Sequence, residues 1–193
     1  EPLWTGGRRD FFPAEFNWVV GCSYTGLPTE RASVRNLIGA NMSFRRDTIL
    51  AIDGFRTGAG RVGTRPFGHE DTEFCIRLRQ RIPGAQVVLE PFAAIRHKVP
   101  PARASLSYFV QRCYIEGLSK AELTDVVGSG DGLESERAYT LRVLPRGVGR
   151  GLRDAVAGRD LAAARRAGAI VLGLACATAG YGVGRVRRMR PGR

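Results

Sequence analysis

The sequence predicts an α/β fold followed by a basic helical extension. Two observations favour this prediction: strand-like and helix-like segments alternate along the first part of the chain, and the strongly basic sequence comes after them. With 193 residues, 44% of them hydrophobic and 25% charged, the chain can bury a hydrophobic core. We therefore expect a body over residues 1–124, a linker over residues 125–137 and a basic helical extension over residues 138–193.

The first elements of the body are short. The segment "NWVVGCSY" is compatible with a buried strand, and "NLIGANMSFRR" predicts another. "DTILAIDGF" predicts a helix with Asp47 as its N-cap and Gly54 just past its end. A glycine-rich loop is expected over residues 56–68, and Thr72–Arg81 reads as a helix stopped by the Pro-Gly pair that follows.

The second part of the body continues the alternation. "QVVLEPFAAIRHKV" predicts a pair of strands, or one strand bent near Pro91. "SLSYFVQRCYIEGLSKAEL" predicts an amphipathic helix with Leu106, Phe109, Val110 and Cys113 on its core side. A body of this kind is typical of layered α/β proteins.

The segment "GHED" places a histidine and two carboxylates in front of the helix over Thr72–Arg81. One interpretation is structural, because acidic residues are favoured in a first helical turn and Asp71 is a plausible N-cap. The other is a general base, since a carboxylate that ends a flexible loop is accessible to a ligand while the helix fixes its direction. These residues alone leave both interpretations open.

Several ordered segments resemble the second half of a family 2 glycosyltransferase: "NLIGANMSFRRDTILAIDGFR", a glycine-rich loop, "GHEDTEFCIRLRQRIPG" and "IRHKVP". The resemblance runs from Trp18 to Lys120 and includes "RCYIEGLSKA", a sequence common in actinobacterial members. It implies a partial GT-A fold with a mixed sheet, an inverting transfer from a nucleotide-sugar donor, and a divalent metal, Mn²⁺ or Mg²⁺. It also implies a role in polysaccharide or glycoconjugate biosynthesis.

The resemblance assigns roles to five residues on the acceptor side. Asp71 matches the catalytic base, which takes the proton of the acceptor hydroxyl as its oxygen attacks the anomeric carbon. Glu70 is expected to position the acceptor or to tune Asp71. Trp18, Asn41 and His69 are expected to bind substrate, although a tryptophan is more often a core residue than a sugar platform.

Two further residues match positions near the diphosphate. His97 matches a histidine that helps to bind the metal-diphosphate, and its alternative is a hydrogen-bonded core histidine. Arg112 is expected to reach the departing diphosphate. Its alternative is an i,i+4 ion-pair ladder with Glu116 and Lys120 on the same helix.

The sequence also departs from the family pattern. A complete enzyme begins with a nucleotide-binding half that ends in a D-x-D metal motif, whereas no two of the eight aspartates here are two residues apart. We therefore expect this chain to be the acceptor-side half of a longer enzyme that lacks the donor site. A degenerate or non-catalytic transferase fragment is the alternative.

The charge and the cysteines restrict location and partners. Residues 142–193 carry ten of the twelve net positive charges. A nucleic-acid-binding module is the less favoured alternative, because zinc spacing, a basic zipper and RNP-type aromatics are all missing from the sequence. The four cysteines form no C-x-x-C pair, which favours buried thiols in a reducing compartment. We expect a cytoplasmic protein that acts on a carbohydrate, lipid-linked or small-molecule acceptor.

The extension contains an uncharged run over residues 167–184. Its 18 residues reach the threshold for a membrane span, but most of them are alanine and glycine, and arginines flank both ends. This pattern favours a helix lying on an anionic membrane, at the inner face of the plasma membrane. The alternative is a helix packed on the body, for which Ala169, Gly173 and Ala177 provide a small-residue stripe.

Overall fold

A computed structural model describes residues 1–56, 68–128, 130 and 134–189. The predicted glycine-rich loop over residues 56–68 lies almost wholly outside the described residues. The α-helices are α1 (Arg46–Ala51), α2 (Glu70–Arg81), α3 (Leu106–Val127), α4 (Glu134–Ala138), α5 (Leu144–Val156) and α6 (Ala162–Met189). Shorter helical segments are two 3₁₀ helices, Ala14–Val20 and Pro101–Ala104, and a π-helical turn, Tyr139–Val143.

The described strands form two small sheets. Strand β1 (Pro2–Trp4) pairs in parallel with β4 (His97–Val99), and β2 (Ala32–Ser33) pairs antiparallel with β3 (Val88–Leu89). The described residues therefore do not form the mixed sheet that we expected: they are mostly helical and carry one parallel and one antiparallel strand pair. The structure agrees with the predicted α/β class only in that two strand pairs occur together with the helices.

Two predicted strands adopt other conformations. The segment "NWVVGCSY" falls largely within the 3₁₀ helix Ala14–Val20, which ends at Gly21 with a φ of 77°. "NLIGANMSFRR" is irregular until α1 begins at Arg46, one residue before Asp47. Both segments contain short runs of apolar residues. Such a run does not reveal whether a neighbouring strand is available for pairing, so it does not by itself predict a strand.

The main core is aromatic and joins the body to the C-terminal extension. Phe109 of α3 packs against Phe12 and Phe16 with ring-centre distances of 5.4 and 5.3 Å. All three rings are fully or almost fully buried, and Ile170 of α6 belongs to the same cluster. Burying each of these rings contributes about 2 kcal/mol to the free energy of unfolding. The extension is therefore part of the hydrophobic core.

A second core forms beneath α2. Phe74 and Leu78 pack with Ile52 and Val87, as the predicted face of this helix requires. The buried Glu73 carboxylate accepts hydrogen bonds from Arg77 at 2.7 and 3.1 Å, and Arg77 also donates to the Ile52 carbonyl. Because a buried charge is costly unless it is paired, this ion pair fixes α2 against the end of α1.

The helices α3 and α6 lie unusually close to each other. A β-carbon at Gly117 would overlap the Ala177 carbonyl oxygen, and one at Gly180 would overlap the Tyr114 carbonyl oxygen. Gly173 lies against the Phe16 and Phe109 rings. The small-residue packing predicted for the extension is thus confirmed, with α3 as the partner.

The cysteines behave as predicted. Cys22, Cys75 and Cys113 are buried, Cys176 is partly buried, and all four are free thiols. Burial raises the pKa of the Cys75 thiol to about 11 and also raises the pKa of Cys113. Both thiols are therefore neutral packing groups at physiological pH.

The predicted linker over residues 125–137 includes the end of α3 and the beginning of α4. Helix α3 continues to Val127, and α4 begins at Glu134. Glu136 of α4 forms ion pairs with Arg35 and Lys120, which belong to the body. The segment therefore returns to the body beside a cavity that Arg35, Lys120 and Glu136 line.

Candidate active site

A cavity of about 660 Å³ lies between α2, α3, α6 and the segment of residues 35–40. This volume is sufficient for a sugar or nucleotide-sized ligand. Four of the residues predicted to form a site line it: Trp18, Glu70, Asp71 and Arg112. Four predicted residues that are spread along the chain from Trp18 to Arg112 thus meet at one concave surface.

Asp71 is held firmly in the wall of this cavity. It is the second residue of α2, where one carboxylate oxygen accepts a hydrogen bond from the backbone of Gly39 at 2.8 Å. The other oxygen accepts from the backbone and the hydroxyl of Thr72 at 2.7 and 3.2 Å. The predicted N-cap role is wrong, since His69 occupies that position. The carboxylate is instead oriented by a neighbouring segment.

Glu70 lies beside Asp71 and has a polar atom without a partner. Its Oε2 atom is buried and makes no hydrogen bond to any described residue. The Nδ1 atom of His69, which is 5% exposed, is likewise unpaired among the described residues. His69 does not line the cavity, whereas Glu70 does. A buried carboxylate oxygen with an unused acceptor is suited to receive a hydrogen bond from a ligand hydroxyl.

The three acidic residues at the start of α2 therefore have different surroundings. Glu73 points into the second core and pairs with Arg77, so its role is structural. Asp71 and Glu70 face the cavity. The helix start explains where the acidic residues lie, but it does not account for the Gly39 bond or for the unpaired oxygen.

Cationic side chains also line the cavity. Arg35 donates to both carboxylate oxygens of Glu136, at 2.5 and 2.8 Å, and the Lys120 ammonium lies 2.6 Å from the same carboxylate. Lys120 also pairs with Glu116 at 3.6 Å, so the predicted ladder is present on α3. Arg112 lines the cavity on this helix. Arg35, Lys120 and Arg112 stand against the carboxylates of Glu136 and Glu116, so these five side chains carry a net charge of +1 (3 − 2).

Glu136 has a strongly shifted pKa. Burial alone would raise its pKa, but the charge of Lys120 and the hydrogen bond and charge of Arg35 outweigh burial and lower it from 4.5 to about 2. A depressed folded-state pKa means that the group stabilises the fold above its unfolded pKa. This contribution is lost as the pH falls from about 4.5 towards 2.

We predict a pH-dependent effect of Glu136→Gln. At neutral pH the variant should have a lower free energy of unfolding than the wild type, and the difference should shrink between pH 4.5 and pH 2. Urea unfolding of both proteins across this range measures it. Glu122→Gln is the control, because its carboxylate is more exposed and pairs only at 3.3 Å with Arg188. A difference that stays constant down to pH 2 would contradict the assignment.

Aromatic side chains form the third wall. Trp18 stacks at an angle on Phe16 at 5.4 Å and donates its indole N–H to the Tyr139 hydroxyl at 3.2 Å. Tyr139 in turn donates to the Glu15 carbonyl at 2.6 Å and packs edge-on against Tyr24. Burial raises the pKa of Tyr24 to about 12. These neutral rings provide flat apolar surface of the kind on which sugar rings pack.

Asn41 and His97 are not among the residues that line the cavity. Asn41 is exposed and donates its side-chain amide to the Ala93 carbonyl at 2.5 Å. His97 lies in β4 with Val99 buried beyond it and Lys98 on the exposed side, as the strand alternation predicts. Its Nε2 atom is 3.7 Å from the position that a β-carbon of Gly21 would take, and Gly21 lines the cavity. His97 thus approaches the cavity edge behind a glycine.

The described residues do not by themselves make a metal site. No group of three histidine, cysteine, aspartate or glutamate side chains in this part of the chain is arranged to hold a metal ion. His97 could supply one ligand at most, and further ligands would have to come from elsewhere.

Several residues that line the cavity were not predicted from the sequence. Arg35 lies in an irregular segment, Glu136 in a predicted linker, and Tyr24 and Tyr139 are far apart in the chain. No motif connects these residues. The one available signal is a carboxylate in a linker next to a basic extension, which is too common to be specific.

Comparison with known proteins links the chain to sugar transfer. The glucosyl-dolichyl phosphate glucuronosyltransferase of Haloferax volcanii is 34% identical to it over 119 residues, which are 62% of this chain. The chain spans 38% of the length of that relative. No family model matches the sequence, and no solved structure gives a significant match. The similarity confirms the resemblance to a glycosyltransferase that the motifs predicted.

Proposed function

We propose that this chain is the acceptor-side part of an inverting family 2 glycosyltransferase with a GT-A fold. The observation that carries the proposal is the Asp71 carboxylate, fixed by Gly39 and Thr72 in the wall of the large cavity. The similarity to a named glucuronosyltransferase supports the reaction class. Because the chain spans 38% of that relative, the activity belongs to the intact protein that contains this chain.

Asp71 acts as the general base. The acceptor oxygen attacks the anomeric carbon of the donor, the bond between that carbon and the diphosphate oxygen breaks, and the hydroxyl proton passes to Asp71. The attack comes from the face opposite the diphosphate, so the anomeric configuration inverts. The hydrogen bonds from Gly39 and Thr72 keep the carboxylate in one orientation during the transfer.

The other walls of the cavity serve binding. Glu70, with its unpaired Oε2 atom, receives a hydrogen bond from another acceptor hydroxyl. Arg112 offers positive charge to the departing diphosphate from α3. Trp18 and Tyr139 supply apolar surface for a sugar ring. Asn41 and His69 lie outside the lining, so their roles in binding would require contacts from the part of the enzyme that holds the donor.

A requirement for Mn²⁺ or Mg²⁺ belongs to this proposal for the intact enzyme. His97 is the residue that this chain would contribute, and the chemistry of such an ion is to neutralise the diphosphate as it leaves. No step of the mechanism above depends on it.

The similarity to the glucuronosyltransferase also supports a proposal for the acceptor. The name of the relative describes an enzyme that acts on a glucosyl-dolichyl phosphate, and we therefore favour a lipid-linked acceptor over a free carbohydrate or a small molecule. We also propose that the enzyme uses its nucleotide-sugar donor on the cytoplasmic side and is peripheral at the inner face of the plasma membrane.

A donor screen tests the proposal. The intact enzyme should release nucleotide from one nucleotide-diphosphate sugar, glucuronate donors included, only when an acceptor is present. Released nucleotide and radiolabelled product are measured in parallel, with and without Mn²⁺ or Mg²⁺. If no donor gave acceptor-dependent release of nucleotide, the proposed function would be refuted.

A further inference from the structure

One exposed side of α6 carries no charged residue, and the exposed Arg165, Arg187 and Arg188 lie beside it. The residues on this side are small or aliphatic and all exposed: Ala164, Gly168, Val171, Ala175, Gly182 and Val186. From Ala164 to Met189 this face extends for about 37 Å. A helix face that contacts water normally carries charged residues. The outer face of α6 therefore has the composition of a surface that is covered.

The neighbouring helix α5 enlarges this surface. On α5 and the turn that follows it, Leu152, Val156 and Leu161 are exposed, the last two by 89% and 78%. In α5 the opposite side faces the protein, because Gly147 lies against Glu15, while Gly173 of α6 lies against Phe16. The exposed apolar residues of both helices thus lie on the side away from the core. We call this surface the hairpin face.

A membrane span by α6 is incompatible with its packing, although its length and composition alone would permit one. Its inner side is held against α3 by the glycine contacts and by Arg185 and Arg188, which pair with Asp125 at 2.5 and 3.1 Å. Helix α3 also carries Arg112, Glu116 and Lys120, which would enter the bilayer with it. The hairpin face can therefore lie on a membrane but not cross it.

Arginines border the hairpin face. Arg146 and Arg153 are exposed on α5, and Arg159 and Arg165 near the turn are 71% and 70% exposed. Their partners, Asp154 at 3.9 Å and Asp10 at 3.6 Å, are loose surface pairs. An apolar centre with a positive border is complementary to a bilayer with anionic headgroups, which the apolar side chains enter while the guanidinium groups remain at the phosphates.

The same helix forms part of the cavity wall. Four residues of α6 line the cavity: Leu174, Ala177, Thr178 and Tyr181. Of these, Thr178 is also exposed at the margin of the hairpin face. The cavity and the hairpin face therefore meet at Thr178. A ligand anchored in the membrane could reach the cavity past this residue without leaving the headgroup layer.

We propose that the hairpin face docks on the anionic surface of a membrane and so presents the cavity to a membrane-borne acceptor. The second half of this inference rests on the proposed function. The first half rests only on the exposure, the charge and the packing of α5 and α6.

Vesicle sedimentation tests the docking with the full chain. The protein should sediment with phosphatidylcholine vesicles that contain phosphatidylglycerol, should stay in solution with pure phosphatidylcholine, and should be released by added salt. Val156→Glu and Leu161→Glu should each weaken binding about tenfold or more. Phe92→Glu is the matched control, because Phe92 is an apolar residue that is 95% exposed but lies on the connection between β3 and β4. This substitution should leave vesicle binding unchanged.

The arginine border has its own test. Arg153→Gln combined with Arg159→Gln should weaken binding at low salt, whereas Arg31→Gln, an exposed arginine near β2, should not. Circular dichroism and the melting temperature must match the wild type for every variant. Wild-type protein that ignores anionic vesicles at low salt would overturn the proposal. A Val156→Glu variant that binds vesicles as the wild type does would also overturn it. So would a wild-type dimer that the substitution converts to a monomer without any change in vesicle binding.

Activity measurements separate this proposal from the proposed function. In the intact enzyme, Val156→Glu should reduce transfer to an acceptor embedded in vesicles and leave transfer to a water-soluble acceptor analogue unchanged. Vesicle binding without transfer to either acceptor would support the docking and refute the glycosyltransferase. Equal loss with both acceptors would refute the delivery of a membrane-borne acceptor by this face.

Discussion

Asp71→Asn is expected to lower the turnover number of the intact enzyme by about 10²- to 10⁴-fold, the contribution of a positioned general base. An asparagine fills the same space and can still accept a hydrogen bond from Thr72, but it cannot take the proton of the acceptor hydroxyl. The donor KM should change little, because the loss occurs in the transition state. Steady-state kinetics with varied donor and acceptor measures both quantities.

The control for this variant is Asp47→Asn. Asp47 is also an acidic residue in the first turn of a helix, but it is exposed on α1 and outside the cavity. Both variants should keep the melting temperature within a few degrees of the wild type. If Asp71→Asn retained more than about a tenth of the wild-type turnover, the role of general base would have to be assigned to another group.

Gly180→Ala is expected to be the most destabilising small substitution in the described part of the extension. The new β-carbon would overlap the Tyr114 carbonyl oxygen, so α6 must move away from α3. Overpacked substitutions usually lower the free energy of unfolding by about 1 to 3 kcal/mol. Because the clash here is with backbone atoms, which cannot rotate away, we expect a loss of about 3 kcal/mol. Urea unfolding followed by circular dichroism measures this loss.

Gly182→Ala provides a control within the same helix. Gly182 is two residues further along α6, and a β-carbon there meets no atom within 4 Å. The higher helix propensity of alanine should raise the free energy of unfolding by about 1 kcal/mol. Opposite signs for the two variants would show that contact with α3 determines the effect. A loss of equal size in both would contradict the close packing of α3 and α6.

The long helices could be predicted from the sequence because their signals are local. Helix α2 shows the predicted core face of Phe74 and Leu78, and α6 uses the predicted small residues at Gly173 and Ala177. Both features repeat with helical period over several turns, so the pattern is specific. The face of α3 was predicted less well, since Phe109 and Cys113 are fully buried but Leu106 is 49% exposed at its first turn.

The short elements could not be predicted, because their conformation depends on partners that are distant in the chain. Residues 14–20 form a 3₁₀ helix around Phe16 and Trp18, whose partners are Phe109 and Tyr139. A run of apolar residues does not distinguish such a helix from a buried strand. The pairing of β1 with β4 likewise joins residues 2–4 to residues 97–99.

The candidate site was predictable only in part, for the same reason. The motif indicated that one carboxylate of "GHED" faces a ligand, and the structure places Asp71 and Glu70 in the cavity wall. The assignment of Glu73 to the core required Arg77 and the end of α1, which no local pattern predicts. The cationic wall joins Arg35, Lys120 and Glu136 from three separate segments, so only the folded chain shows it.

The measurement that tests the central claim most directly is the anomeric configuration of the product. The intact enzyme is given an α-linked nucleotide sugar and an acceptor, and the configuration of the new glycosidic bond in the product is determined by proton NMR. A single base at Asp71 and attack from the face opposite the diphosphate predict a β-linked product. An α-linked product would mean retention of configuration, which would contradict the role proposed for Asp71.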